Sequence, residues 1–482
     1  MACDQKAASR AVARIIPAFL GGLIVYSCYS ITKALCIDYL INPSSVTGLR
    51  PRTSTAIGIL VTFYVLLFFL AVTYLRLLIT IIFFPGYLPR GPQWSSSDKK
   101  KRKGKGKRGR PESLQEKPED IPDTAPGDSI ANGEKNVPSF DPAGLEAFYM
   151  KDVFVCQQDG RPPWCSTCYQ FKTDRAHHCS EVDRCVRKMD HFCPWVGGVV
   201  SETSFKFFIQ FLFYALLFVI FNGVVMAIFV AELRREFGSL NIHYIVILAS
   251  SSFFGLFLAG MLISSLQIAL CNSSTIESLD WNTKVWTLAI LIPRPFDLDN
   301  LPEGNRPSFP IVSYPIPASQ PSGEQDSNGS APPLRQFAIL HTRPGENPFD
   351  LGDPFTNLEE VMGHSILDWI LPIKHSPCAS HSRQDSMYAL GSVVQRMKRD
   401  AGILEAPTRK SGHQSHGSKR RRKDGRSSGS VPSSRSTHSR PGHNRTNTNR
   451  RRTKGRKHHR HSRDGSMSIR NKRLSVEDTY GI

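Results

Sequence analysis

The chain has 482 residues and a formal charge of +20, and its mean hydropathy is −0.25. That length leaves room for two or three domains, yet the balance of charge and hydropathy fits neither a simple globular enzyme nor a simple channel. The averages conceal segregation: apolar residues collect in four blocks, whereas Lys, Arg, His and Ser fill one loop and a long tail.

Residues 1–14 carry Lys6, Arg10 and Arg14 and precede the first block, 15–32, which holds no charge. A cleaved signal peptide would have a shorter apolar core and a small-residue cleavage site, and none is evident before Lys33, so the block is read as a membrane anchor. The second block, 56–75, is 20 uncharged residues, long enough at about 1.5 Å per residue to cross roughly 30 Å of hydrocarbon. Arg76 and the apolar stretch Leu77 to Phe84 continue it. Blocks 207–230 and 244–270 supply a third and a fourth span, in which Asn222 and Gln267 either bond between helices or are tolerated singly. Cations fall on the N-terminus, on the loop between the second and third spans and on the tail. The expected arrangement is an integral multi-pass protein with both termini and that loop cytoplasmic.

Residues 86–162 have little to bury and are expected to be a mostly disordered linker, with a basic run from Lys99 to Arg110 that could approach anionic lipid headgroups. Residues 163–208 differ in kind. Five of the 11 cysteines lie there. Cysteines at two-residue spacing in a reducing compartment point to metal rather than disulfide. Cys165, Cys168, His178 and Cys185 supply the three thiolates and one imidazole that a tetrahedral zinc site takes. A buried cysteine cluster without metal is the alternative.

Cys165-Ser-Thr-Cys168, Lys172, Arg175-Ala-His177-His178-Cys179, Cys185-Val186, Met189-Asp190-His191-Phe192-Cys193-Pro194-Trp195-Val196 and Phe207 resemble the cysteine-rich domain of DHHC-type protein S-acyltransferases, the palmitoyltransferases. The Asp-His-Phe-Cys form is similar to a fungal branch. The resemblance implies an all-α polytopic membrane protein of four transmembrane helices, with a small zinc-binding cytoplasmic domain and a disordered tail. It implies two zinc sites in most members, of which this chain matches the first. At the second only Cys179 remains, and Val182, Phe192 and Val199 stand at the other three positions. One structural Zn2+ is therefore expected, unless a donor such as Cys156 or His177 completes another site. Lys172 and Arg175 are candidates for the zinc surroundings.

The implied reaction is thioester exchange. A cysteine near its usual pKa is only partly ionised at neutral pH, an imidazole can take its proton, and a carboxylate can orient that imidazole. Cys193 is the expected nucleophile, His191 the base and Asp190 the orienting acid. Pro194 makes a continuing helix after Cys193 unlikely. The implied acyl donor is palmitoyl-CoA, the partners being acyl-CoA, membrane lipids and cysteine-containing substrate proteins, with no specific nucleic acid. Phe205, Phe207, Phe208 and Phe211 open the third span and are expected to be ordinary lipid-facing helix, although one or two could line an acyl-chain cavity.

Beyond the spans, Phe84-Pro85-Gly86 and Ser274-Thr275-Ile276-Glu277 resemble short family elements, the latter placing a hydroxyl and a carboxylate against the cysteine-rich domain. Region 271–374 holds Asn347-Pro348-Phe349, whose Phe349 is expected to plug into the bundle. It also holds a helix over Leu358 to Leu371, capped by Asn357 with Glu360. Residues 375–482 read as a basic disordered tail. A membrane-anchored zinc-dependent binding or scaffold protein is the competing function; it would not need Asp190, His191 or Cys193.

Overall fold

The computed structural model describes residues 5–43, 50–92, 94, 144–293, 307–315 and 334–403. The runs Lys99 to Arg110, Lys419 to Lys423 and Arg450 to Arg460 lie outside the described residues.

Four helices are long and apolar enough to cross a membrane. The first comprises α1 (Gln5–Cys28) and a wider π-helical continuation (Tyr29–Ile41). It therefore runs past Lys33, where the uncharged block ends, because Lys33 pairs with Asp38 further along the same helix and the two charges offset each other. The second is α2 (Thr53–Phe83), the third α4 (Phe205–Phe237) and the fourth α5 (Ile242–Leu270). Gly238, at φ +62°, ends α4 in the left-handed conformation that glycine tolerates best. Arg52 grips Glu232 through both guanidinium ends and lies over the Tyr39 and Phe229 rings, tying three spans at the face away from the cysteines. Neither polar singleton makes the bond allowed for it between helices: Asn222 Oδ1 has no partner, and Gln267 is exposed.

On the other face the cysteine-rich segment is three short antiparallel hairpins. They are β2 (Trp164–Cys165) with β3 (Gln170–Phe171), β4 (His177–Cys179) with β5 (Arg184–Val186), and β6 (His191–Cys193) with β7 (Gly198–Val200). Chain leaving α2 laces along them, Leu88 N–H donating to Cys185 O and Gly91 N–H to Cys168 O. Only glycine fits at 91, since a Cβ there would sit 1.5 Å from the Tyr169 carbonyl oxygen.

The membrane part is helical as expected, but a four-stranded antiparallel sheet is added to it. The sheet is ordered β1 (Val153–Val155), β8 (Thr287–Leu291), β10 (Arg335–His341), β9 (Ile311–Tyr314). Its alternation is clear on β8. Ala289 faces an aromatic cluster of Phe154, Phe171, Tyr314 and Phe337, which also takes Phe148 and Tyr149 of α3 (Glu146–Tyr149). Leu288 and Ile290 face Val394 and Met397 of α9 (Ser392–Asp400).

Three boundaries change accordingly. Residues 144–162 belong to the fold rather than to a linker, and 375–403 form ordered structure rather than the start of a tail. The expected helix over 358–371 is two: α7 (Pro354–Met362) and α8 (Ile366–Ile370), separated at Gly363, whose φ is +96°. Asp353, not Asn357, caps α7, accepting from Thr356 N–H at 2.9 Å. Asn357 instead lies within α7 and donates to the Leu270 carbonyl at 3.0 Å, closing the end of the fourth span. Leu358, Val361 and Met362 join the core of the membrane bundle, while Ile366, Leu367 and Ile370 are exposed.

Candidate active site and metal centre

Hairpin β6–β7 and the residue before it carry Asp190, His191 and Cys193. Asp190 N–H donates to Val200 O at 2.9 Å, closing the hairpin, and Phe192 and Cys193 register against Val199 and Gly198. Gly198 lies so close to the second span that an added Cβ would be 2.5 Å from Ile81. After Cys193 the chain turns through a short 3-10 segment, Pro194–Val196, and leaves it at Gly197 with φ +74°. Proline thus ends the strand as its fixed geometry demands.

The buried Asp190 carboxylate takes three donors: His191 Nδ1 at 2.6 Å, Thr275 N–H at 2.8 Å and Thr275 Oγ1 at 2.9 Å. Thr275 begins the short helix α6 (Thr275–Ser278) just beyond the fourth span. With Nδ1 committed to Asp190, Nε2 is the nitrogen left for a thiol. It is buried with no partner at hydrogen-bond geometry, yet Cys193 is near enough to act on the ring. Burial pulls the imidazole down, but the Asp190 hydrogen bond and then Cys193 outweigh it and leave His191 at about 9. The looser thiol contact is normal before substrate binds.

Cys193 is 4% exposed and opens on an apolar cavity between the spans, with an empty volume of about 1130 Å³ that includes its open side. Tyr74, Trp195, Phe208, Phe211 and Leu258 line it, and Asn222 lies at its far reach. Of the four phenylalanines considered from the sequence, Phe208 and Phe211 meet the cavity. Phe207 instead lies under the Arg76 guanidinium and beside His375.

Cys165, Cys168, His178 and Cys185 bring one ligand atom each within 4.8 Å of one another. The three sulfurs lie 3.6, 3.4 and 3.9 Å from His178 Nδ1. A tetrahedron with metal–sulfur bonds near 2.3 Å has edges of roughly this length, so the donors fit zinc in number, type and spacing. Their protons tell the same story. Sulfur-bound protons on Cys168 and Cys185 drive Cys165 far below the usual thiol range, while facing Cys165 and Cys168 pushes Cys185 far above it. Three such thiols can be thiolates together only around a cation.

The remaining family positions converge elsewhere. Cys179 and Val199 are buried with Val186 and Met189, and Val182, Phe192, Tyr87 and Ile276 pack on them. Arg175 is not beside the zinc-type cluster. Its buried guanidinium holds Glu277 through two bonds, 2.8 and 2.6 Å, and donates to Asn272 Oδ1 at 3.1 Å. Burial opposes ionisation of Glu277, but the Arg175 charge prevails and holds it at about 2. Phe349 lies against that guanidinium, 4.7 Å from it, and packs with Trp286 and Tyr388. It therefore locks the cysteine-rich segment to the C-terminal region and does not enter the bundle.

Several participants left no mark in the sequence. Glu202, 2% exposed at the start of the third span, accepts from Tyr388 Oη at 2.7 Å and pairs with His381 Nε2 at 3.0 Å. Both partners lie in the stretch read as tail. Lys188 is fully buried on Asn272 Oδ1, at 3.1 Å. Together with Asp190, Glu202 and Cys378 it lines a small cavity. Glu202, Lys188, Cys378, His381 and Tyr388 belong to no short motif, and only folding brings them to Asp190.

A buried cysteine thus lies beside an imidazole–carboxylate pair and on an apolar cavity among membrane-spanning helices, an arrangement suited to thiol chemistry on an acyl chain. The family model of the DHHC palmitoyltransferases matches residues 158–282. The chain is 51% identical over 412 residues to "Palmitoyltransferase pfa5" of Aspergillus fumigatus, covering 83% of this chain and 92% of that protein. It is 46% identical to "Palmitoyltransferase pfa5" of Emericella nidulans, covering 82% and 86%. To "Palmitoyltransferase ZDHHC15" of Rattus norvegicus it is 28% identical over 48% of this chain and 52% of that one. The chain belongs to the DHHC palmitoyltransferase family, and its activity is protein S-palmitoylation.

Proposed function

We propose that Cys193 carries the acyl group between palmitoyl-CoA and cysteines of substrate proteins. The observation that carries this reading is the position of the Cys193 thiol, with His191 and Asp190 on one side and the apolar cavity on the other. His191, with Nδ1 held by Asp190, presents Nε2 to take the proton of Cys193 as the sulfur attacks. The thiolate attacks the thioester carbonyl, forming the S–C bond. The tetrahedral adduct collapses by breaking the bond to the CoA sulfur, which leaves with the proton from His191. Neutral His191 then accepts the proton of an incoming substrate thiol. That thiolate attacks the acyl-Cys193 carbonyl and releases Cys193 as a thiolate again.

Asp190 keeps the ring in the productive tautomer, and Thr275 keeps Asp190 in place. The acyl tail occupies the cavity bounded by Phe208, Phe211 and Leu258, where it is withheld from water. Cys165, Cys168, His178 and Cys185 hold one zinc ion, whose contribution is structural: it fixes the loops beneath the spans. The charge distribution puts both termini and the cysteine-rich segment on the cytoplasmic side, where thiols stay reduced.

Labelling with a clickable palmitate analogue tests the scheme. The full-length protein takes up hydroxylamine-sensitive label, and Cys193→Ser loses it. Label unchanged in Cys193→Ser sinks the nucleophile assignment and favours a zinc-dependent scaffold.

A further inference from the structure

Attack on a thioester places negative charge on the carbonyl oxygen, and that oxygen needs a donor that the trio does not supply. His191 carries one proton toward Asp190 and the other toward sulfur. The other side-chain donors lining the cavity are Ser27, Trp195, Asn222, Ser250 and Ser251. The Trp195 ring packs on Phe254 and Phe257 of α5, and Ser251 lies at the level of Gly223 beside Asn222. Ser250 is spent on the Val246 and Ile247 carbonyls of its own helix. Asn222 lies 14 residues along α4 from Phe208, the ring beside His191, a separation of about 21 Å at 1.5 Å per residue.

Tyr74 of α2 is different. It lines the cavity together with Cys193, and its ring is held against Phe211 with centroids 4.9 Å apart. Its hydroxyl donates to the carbonyl of Trp195, two residues beyond the nucleophile, at 3.3 Å. That length is beyond the usual range for a hydroxyl donor, so the bond is weak and readily exchanged.

We infer that Tyr74 is the oxyanion donor of this enzyme, its phenol O–H turning from the Trp195 carbonyl to the thioester oxygen as Cys193 attacks. The inference rests on Cys193 being the nucleophile. No proton is transferred: the hydroxyl donates while charge builds on oxygen and returns to Trp195 when the adduct collapses. A phenol fixed by ring packing in a cavity lined by apolar side chains is preorganised for this role, and one such donor contributes on the order of 100-fold in rate.

The test separates oxyanion stabilisation from mere positioning of the thiol. Full-length protein in detergent or nanodiscs is assayed for the rate of Cys193 acylation by palmitoyl-CoA and, in parallel, for alkylation of Cys193 by iodoacetamide, a displacement with no oxyanion. In Tyr74→Phe the acylation rate constant falls about 100-fold, the concentration dependence on palmitoyl-CoA shifts less than about threefold, and alkylation is unchanged within about twofold. Acylation retained within about threefold overturns the inference. So does a parallel loss of acylation and alkylation, which would make Tyr74 a positioning residue or mark a misfolded variant. Cys193→Ser run alongside isolates the underlying reading: label surviving there removes the nucleophile itself, whatever Tyr74→Phe does.

Discussion

Two clusters built from one stretch of chain, residues 165–199, have opposite chemistry. In the first, Cys165, Cys168, His178 and Cys185 crowd their ligand atoms within 4.8 Å, and the crowding drives Cys165 to ionise. In the second, Cys179 keeps company with Val182, Phe192 and Val199, and burial pushes its thiol up to about 11, so it stays protonated. A metal ligand must be a thiolate. One cluster is prepared for a cation and the other is a small apolar core, although His178 and Cys179 are neighbours on one strand. Strand alternation sends adjacent side chains to opposite faces, which is how one hairpin serves both.

The difference predicts unequal responses to loss of sulfur. Cys185→Ser removes one of four donors, so bound zinc falls from about one per chain toward zero and palmitate labelling is lost. Elemental analysis and labelling on the same sample check both. Cys179→Ala, by contrast, leaves metal content unchanged and costs about 1 kcal/mol, as removal of a small buried group does. Equal metal loss in the two variants would erase the distinction.

Asp190 and His191 lie between the clusters and respond to pH rather than to metal. The folded state raises His191 from 6.5 to about 9. The stabilisation is therefore complete below pH 6.5 and is lost as pH rises through about 9, amounting to on the order of 3 kcal/mol. The melting temperature of solubilised protein should fall over that window. Asp190→Asn removes the charge of the carboxylate and weakens the hydrogen bond to His191, so its melting curve is lower at pH 6.5 and flatter toward 9. A wild-type profile that is flat from 6.5 to 9.5 would contradict the pairing.

Much of the site was legible, and the reason is spacing. In this chain two of the metal-type ligands share one short turn and Asp190, His191 and Cys193 share one strand and its leading residue, so Cys165 with Cys168, and Asp190 with His191 and Cys193, are visible as local patterns. The spans were legible because hydrocarbon requires long uncharged runs. The sheet was not: β1 has three residues and pairs with β8 in a register that sets Val153 against Ile290, 137 positions on. The apolar run through Leu288, Ala289 and Ile290 was a local hint, too short to span a bilayer and consistent with a buried strand. His381 and Tyr388 were hidden for another reason. They sit in a polar, Ser-rich stretch whose composition reads as unstructured, and it is the buried Glu202 carboxylate, 179 and 186 positions earlier, that orders them.

Phe192→His gives the finest probe of the comparison, since it writes the missing imidazole back into the apolar cluster. Three donors would be needed beside Cys179, and positions 182 and 199 still offer only the valine side chains that pack there. The new imidazole would lose part of its hydration among Val182, Val199 and Ile276 without gaining an ion. The expected result is a loss of about 1 to 2 kcal/mol in stability, zinc still near one per chain, and no gain in labelling. A doubling of zinc in this variant would mean that a further donor swings in, with His177 on the same strand the first to examine. The second cluster would then be a metal site short of a single residue, not a packed core.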